Sequence, residues 1–399
     1  MAVAPERAGG TAGRRIVRGL WPFLLAVFLS TGTALAQPSE PYKPTTGPYT
    51  VKQVDQDWRD EARQLEVPVR IYLPQRPEKS AEKPAKFPVI VFSHGLGASR
   101  EQYGYFGRHM AECGYIVIAP THAGSDTTAL KDWVKKHGGI AGGAGEEGWL
   151  KSSVDDPANL RNRPRDVSFI IDQLSVNPLL KSEADAEHVG VAGHSFGADT
   201  AMQIGGMTTN LPEEKAKSFR DPRVKAVLPM SPEGPGVMGI EEGSWANFAA
   251  PVLFLTGTRD YGQGERSATW RRAGFEHVAG VDSYLVILNG AGHMTFGRGP
   301  GETAAAPKPV EDSGKDTGGG LRERLRERVK DRVRERTNEK TGGPDADQAR
   351  HTAMIESLSA AFFDAYVRGD ASAKAWLKAF AAARHDDCTA ESKAGTDKE

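Results

Sequence analysis

Apolar residues along this chain fall into short unbroken runs, near residues 88–93, 115–119, 188–192, 225–230, 251–256 and 283–288. A strand that is apolar without alternation is buried on both faces, as the central strands of a parallel sheet are. Val67-Pro68-Val69-Arg70-Ile71-Tyr72-Leu73 alternates instead and predicts an antiparallel edge strand. Between the runs the spacing becomes helical: over 163–175, Val167, Ile170, Ile171 and Leu174 share one face. Strands alternating with helices predict an α/β fold, a mostly parallel central sheet with helices on both faces. Residues 351–381 predict a closing helix with Ile355, Leu358, Phe362, Phe363 and Tyr366 inward.

Two stretches break this rhythm. Residues 123–162 are Gly-rich, with Trp133 and Trp149 among charges. They follow the end of a strand, so they read either as a lid over a site or as a surface loop. Between Arg322 and Arg336 stand eight basic and four acidic residues. Leu321, Leu325, Val329 and Val333 form a stripe too thin for a core helix. A solvated helix is the first reading. Contact with an anionic surface or polymer, or a gate starting close to residue 293, are the alternatives.

The first 36 residues read as an export signal: Arg14, Arg15 and Arg18, then the apolar Leu20–Leu29, then Ala34-Leu35-Ala36 before Gln37. The apolar run is short for a bilayer, which favours cleavage over an uncleaved anchor. Arg14-Arg15 hints at twin-arginine export, though its neighbours fit that motif poorly. The expected localisation is secreted or periplasmic. Losing residues 1–36 removes four basic residues and one acidic residue and leaves a net charge of −4. That charge offers no footprint for nucleic acid. The expected domains are a Pro-rich leader at 37–48, a catalytic domain at 49–300, a charged insertion at 301–349, a C-terminal helix at 350–384 and a disordered tail at 385–399. Cys113 reads as a buried small hydrophobe; Cys388 lies in the polar tail, and a bridge between them after export is left open.

The candidate chemistry centres on Gly193-His194-Ser195-Phe196-Gly197. It follows the apolar Val189-Gly190-Val191-Ala192 and precedes a small-residue helical stretch, the strand–turn–helix context of a nucleophile elbow. Side chains two residues before and after the serine would collide, hence Gly193 and Gly197. The plain alternative is a strand-to-helix turn with packing glycines. His94-Gly95-Leu96-Gly97 follows the run ending at Ser93; its loop places the Leu96 N–H as one oxyanion donor, and the Phe196 N–H as the other. Gly95 and Gly97 allow close backbone approach. His94 reads as a loop-pinning imidazole, because the base is expected last in chain order. Asp260, after Pro251–Thr256, is the expected acid, with a turn cap as its alternative; His293, after Ser283–Leu288, is the expected base, with a turn histidine as its alternative. Ser…Asp…His is one of three known orders for this chemistry. No histidine–carboxylate cluster has metal-ligand spacing, so no metal and no organic cofactor is expected.

Phe92-Ser93-His94-Gly95-Leu96-Gly97-Ala98-Ser99-Arg100 and Gly193–Ala198 together resemble bacterial proteins of the predicted dienelactone hydrolase group, relatives of platelet-activating-factor acetylhydrolase in the α/β-hydrolase superfamily. Arg163-Pro164-Arg165-Asp166-Val167, Gly292–Phe296 and Phe362-Phe363-Asp364-Ala365-Tyr366 extend the resemblance, which covers about residues 65–300 and 350–380. It implies an α/β-hydrolase fold. True dienelactone hydrolases use cysteine; serine at 195 carries over instead to carboxylic ester hydrolysis. Arg163 and Arg165 are expected to cap or brace a loop rather than touch substrate. The expectation is an exported serine esterase of small-molecule or lipid esters. The alternatives are a lipid or polyester hydrolase, and a non-catalytic binding module on the same fold; the oligomeric state is left open.

Overall fold

The computed structural model describes residues 42–44, 47–76, 85–137, 146–262, 266–299 and 347–396. The expected signal at 1–36 and the basic run at 321–336 lie outside the described residues. Among the described residues one nine-stranded sheet dominates. It runs β1 (Thr50–Asp60), β2 (Leu65–Gln75), β4 (Ile116–Pro120), β3 (Phe87–Ser93), β5 (Ala184–His194), β8 (Val224–Met230), β9 (Val252–Arg259), β10 (Ser283–Gly292), β11 (Cys388–Lys393). A hairpin of β6 (Thr209–Leu211) and β7 (Glu214–Lys217) stands apart from it. From β4 to β10 neighbouring strands are parallel; β1, β2 and β11 pair antiparallel at the edges. This strand order and pairing is that of the α/β-hydrolase fold.

The unbroken apolar runs have the expected cause. In β3, Val89 and Val91 enter one core cluster while Ile90 and Phe92 enter the other, on the opposite face of the sheet. One face is covered by α4 (Pro157–Gln173), α5 (Phe196–Gly205) and α6 (Ala273–His277), through Leu160, Val167, Ile170, Met202 and Phe275. The other is covered by α1 (Gly104–Glu112), α7 (Gln348–Tyr366) and α8 (Ala371–Ala382), through Phe106, Met110, Ile355, Phe362 and Leu377.

Several expectations needed correction. The alternating strand at Val67–Leu73 is not the edge: β1 pairs along its whole length and takes that place. β1 buries only Trp58 and Asp60, so its sequence carries little hydrophobic signal. The stretch 123–162 is not irregular where it is described. It holds α2 (Thr127–Lys136), α3 (Glu146–Val154) and the start of α4. The C-terminal helix is two helices, broken at Gly369, whose φ of 74° ends the first. The tail expected to be disordered carries β11, which pairs with β10 from Ser283↔Lys393 to Leu288↔Cys388. Backbone hydrogen bonds and polar contacts such as Arg272 Nη1–Glu391 Oε1 at 2.7 Å hold it, and hydropathy does not register these. Cys388 is buried in that strand and Cys113 is half-buried; the two are not joined in a disulfide.

Candidate active site

Ser195 joins β5 to α5 with φ 54° and ψ −123°, a conformation that costs an L residue free energy. Two glycines permit it. A Cβ on Gly193 would overlap the carbonyl oxygen of Gly197, and a Cβ on Gly197 would overlap that of Ser93. The Ser195 N–H donates to Met230 O at 2.9 Å, which ties the turn to the next strand. Ser195 is half-buried.

Asp260 follows the end of β9 and His293 follows the end of β10. Both therefore stand at the carboxyl edge of the sheet, where open α/β sheets gather sites. The structure brings the three residues together: Ser195 Oγ is 3.0 Å from His293 Nε2, and His293 Nδ1 is 3.0 Å from Asp260 Oδ1. Asp260 is fully buried, while the His293 side chain is 17 % exposed.

Around Asp260 lie residues that the sequence reading passed over. Thr256 Oγ1 donates to Asp260 Oδ2 at 2.9 Å. Ser231, just past β8 with φ 54°, holds its Oγ 2.6 Å from His293 Nδ1. Arg271, from the 3-10 turn Ala268–Arg272, reaches Asp260 Oδ1 with Nε at 2.8 Å. Burial alone would raise the Asp260 carboxyl; Arg271 and the hydrogen bonds from His293 and Ser231 outweigh it and hold the group well below the carboxylate range. Arg271 Nη2 also lies 3.3 Å from His293 Nδ1. Both are donors in the tautomer that Asp260 selects, so this is a charge contact and not a hydrogen bond. The missing sequence signal is plain: an arginine in an Arg-Arg pair and a serine before proline resemble ordinary surface residues.

The loop after β3 is held from three sides. Gly95 N–H donates to Tyr103 Oη at 3.0 Å, and Gly97 N–H donates to Ser125 O at 2.9 Å. The Leu96 N–H between them, like the Phe196 N–H, donates to no group among the described residues. Tyr103 Oη is 3.0 Å from His194 Nδ1, and His194 Nε2 is 2.9 Å from His293 O. One chain of bonds thus connects the loop to the backbone of His293. Burial, with the nearby His293, lowers His194 to about 3, so it works as a neutral strut. His94 pins the loop as expected, donating from Nδ1 to Gly95 O at 2.6 Å and accepting the His122 N–H at Nε2 at 2.9 Å. The start of α2 is bound to the same loop, Thr127 Oγ1 donating to Gly97 O at 2.8 Å. Leu130 and Trp149 side chains close over Gly97.

A second Ser–His–Asp alignment lies beneath. Ser93 Oγ is 2.9 Å from His122 Nε2, and His122 Nδ1 is 2.8 Å from Asp166 Oδ2. Arg163 braces a structural loop as expected, through hydrogen bonds and from a buried position. It is fully buried, donates to Ser93 Oγ, Ser125 Oγ, Thr200 Oγ1 and the His94 carbonyl, and lies 4.3 Å from the centre of the Phe196 ring. It therefore joins the loop bearing Leu96 to the turn bearing Phe196. Arg165, by contrast, is exposed. Among the described residues no group of His, Cys, Asp and Glu is placed to hold a metal ion.

Residues 66–164 match the family platelet-activating factor acetylhydrolase, isoform II. The platelet-activating factor acetylhydrolase of Cavia porcellus is 32% identical over 154 residues, 32% of this chain and 33% of that protein. The Bos taurus protein of the same name is 31% identical over 146 residues, 30% of this chain and 32% of that protein. The chain thus spans about a third of the length of the curated relatives it matches. Among solved structures, a ferulic acid esterase from Streptomyces cinnamoneus is 21% identical, with a TM-score of 0.49, covering 82% of this chain and 93% of that one. The chain has an α/β-hydrolase fold, and about a third of its length is similar in sequence to the platelet-activating factor acetylhydrolases.

Proposed function

We propose that the protein is a serine hydrolase of carboxylic esters. Ser195 Oγ attacks the ester carbonyl carbon while His293 Nε2 takes the hydroxyl proton. The tetrahedral oxyanion rests on the Leu96 and Phe196 N–H groups, each donor contributing roughly 10²–10³ in rate. His293 returns the proton to the departing alcohol, leaving the acyl group on Ser195. Water, deprotonated by His293, then releases the acid and restores the serine. Asp260 keeps the proton on Nδ1 and stabilises the imidazolium. The observation that carries this reading is the Ser195–His293–Asp260 line at 3.0 Å and 3.0 Å, on a strained elbow at the open edge of the sheet.

A lipid-like ester is the second reading. Tyr261 and Met294, next in chain to Asp260 and His293, are 43% and 37% exposed, which makes the rim beside the site apolar. The similarity to the acetylhydrolases supports it. Residues 1–36 support export, with a mature amino terminus at Gln37.

The test is labelling by a p-nitrophenyl organophosphonate followed by peptide mass mapping. An adduct on Ser195 with stoichiometric p-nitrophenol release is expected. No adduct, or an adduct elsewhere, would sink the mechanism and favour a binding module. Acetyl esters of a small soluble alcohol and of a long-chain lipid alcohol then separate the two substrate readings: no preference in kcat/KM for the lipid alcohol opposes the lipid one.

A further inference from the structure

Two buried charges in this neighbourhood have no part in the mechanism above. Arg271 is 2% exposed and Glu233 is 3% exposed. The guanidinium is fully engaged: Nε with Asp260 O at 3.0 Å and Oδ1 at 2.8 Å, Nη1 with Ser231 O at 3.1 Å, Pro232 O at 3.0 Å and Glu233 Oε1 at 3.2 Å, Nη2 with Tyr261 O at 3.0 Å. Burying an ion pair returns little net stability, since desolvation cancels much of the attraction. Its placement has an electrostatic consequence instead. A triad acid must stay negative to stabilise an imidazolium, and a cation at 2.8 Å offsets that negative charge.

We propose that Arg271 and Glu233 are a matched pair of positioning residues that set the charge felt by the His293 imidazole. Arg271 locks Asp260 in place and offsets its charge; Glu233 offsets Arg271. The inference rests on reading His293 as the base. With all three charged, Asp260, Arg271 and Glu233 sum to one negative charge, as a lone triad acid would. Without the glutamate the sum is zero, and without the arginine it is two negatives.

The other groups facing the ring do not supply this balance. Ser195 and Ser231 are uncharged hydroxyls, and His194, with ring centres 4.8 Å apart, is kept neutral by burial. Behind Glu233, Asp199 accepts the Glu233 N–H at 3.2 Å, and burial together with Glu233 pushes its carboxyl well up, toward the neutral form.

The experiment follows the rate of Ser195 phosphonylation by a p-nitrophenyl organophosphonate against pH, in wild type, Glu233→Gln, Arg271→Met and Arg271→Lys. The midpoint of the acid limb should fall by ~0.5–1 in Glu233→Gln and rise by a similar amount in Arg271→Met. Arg271→Lys keeps the charge and should stay near the wild-type midpoint while reacting more slowly, because the lysine cannot reproduce the bonds to Asp260. Simple loss of structure has no reason to move the limb in opposite directions. If Arg271→Met does not fold, the fall in Glu233→Gln and the unmoved lysine variant decide. Labelled variants with unmoved limbs, or with limbs moved the same way, overturn the inference and leave the esterase reading standing. A wild type that is not labelled at Ser195 overturns both.

Discussion

The two Ser–His–Asp alignments have nearly the same dimensions: 3.0 and 3.0 Å in Ser195–His293–Asp260, 2.9 and 2.8 Å in Ser93–His122–Asp166. Their surroundings differ in every respect that matters to chemistry. Ser195 sits on a turn with φ 54°, half-buried, beside two N–H groups that donate to nothing among the described residues. Ser93 ends a β-strand, Ser93 and His122 are both 0% exposed, and the Ser93 hydroxyl accepts from Arg163. His122 is driven well below its ordinary value, first by burial and then by Arg163 and Arg63, so it stays neutral. Hydrogen-bond distances alone therefore do not identify a nucleophile. Access, a place for the oxyanion and a base free to take up charge do.

The largest expected effect is on rate. Ser195→Ala should reduce p-nitrophenyl acetate turnover by at least about 10⁴ with little change in melting temperature, since the glycines hold the elbow. Ser93→Ala should do the reverse. It leaves His122 Nε2 without a partner, removes one of the two acceptors of Arg163 Nη2 and should cost about 1–3 kcal/mol in denaturant unfolding, while kcat/KM stays within about tenfold. Equal losses of rate at equal stability would erase the distinction between the arrays. His293→Ala should approach Ser195→Ala, and Asp260→Asn should still slow turnover by about 10²–10⁴.

Arg163 is the link between the two arrays. Arg163→Lys keeps a cation but cannot hold Ser93, Ser125, Thr200 and His94 together. kcat should fall by about 10–100-fold with KM nearly unchanged, because the loss bears on the oxyanion donors and not on ground-state binding. A rise in KM at constant kcat would place Arg163 in substrate binding instead.

The two aspartates should respond to pH with opposite signs. Burial pushes Asp166 up to about 6, against Arg63 and Arg163. Its folded form keeps a proton between about 4 and 6 that the unfolded chain has lost, so this stability is complete below about 4 and gone above about 6. The stability deficit of Asp166→Asn should therefore widen as pH falls from 7 to 4, by a few kcal/mol at most. Asp260 is held below its ordinary value, so its contribution is present above about 4 and is lost only in stronger acid. The deficit of Asp260→Asn should narrow there. Parallel trends in urea unfolding across pH 3–7 would show that the two environments are not opposed.

Much of the first alignment was legible in the sequence, and almost none of the second. Gly193, Ser195 and Gly197 report a turn so tight that the residue types at those positions are dictated locally. Asp260 and His293 each follow an apolar strand, and in a parallel sheet every strand delivers its end to the same edge. Chain order and strand periodicity were thus enough to place Ser195, Asp260 and His293 on one edge. Arg271, Ser231, Glu233 and Tyr103 carried no such mark, and Arg163 was marked only as a loop brace, not as a buried link between the two arrays. Their roles depend on which elements pack side by side, and a buried arginine reads in sequence like an exposed one. β1 and β11 escaped for a related reason: they are held by edge hydrogen bonds and polar contacts rather than by apolar side chains. Local sterics and burial period leave their trace in neighbouring residues along the chain, whereas the electrostatic neutrality of a buried cluster is a sum over residues far apart in sequence, and only the tertiary structure brings them together.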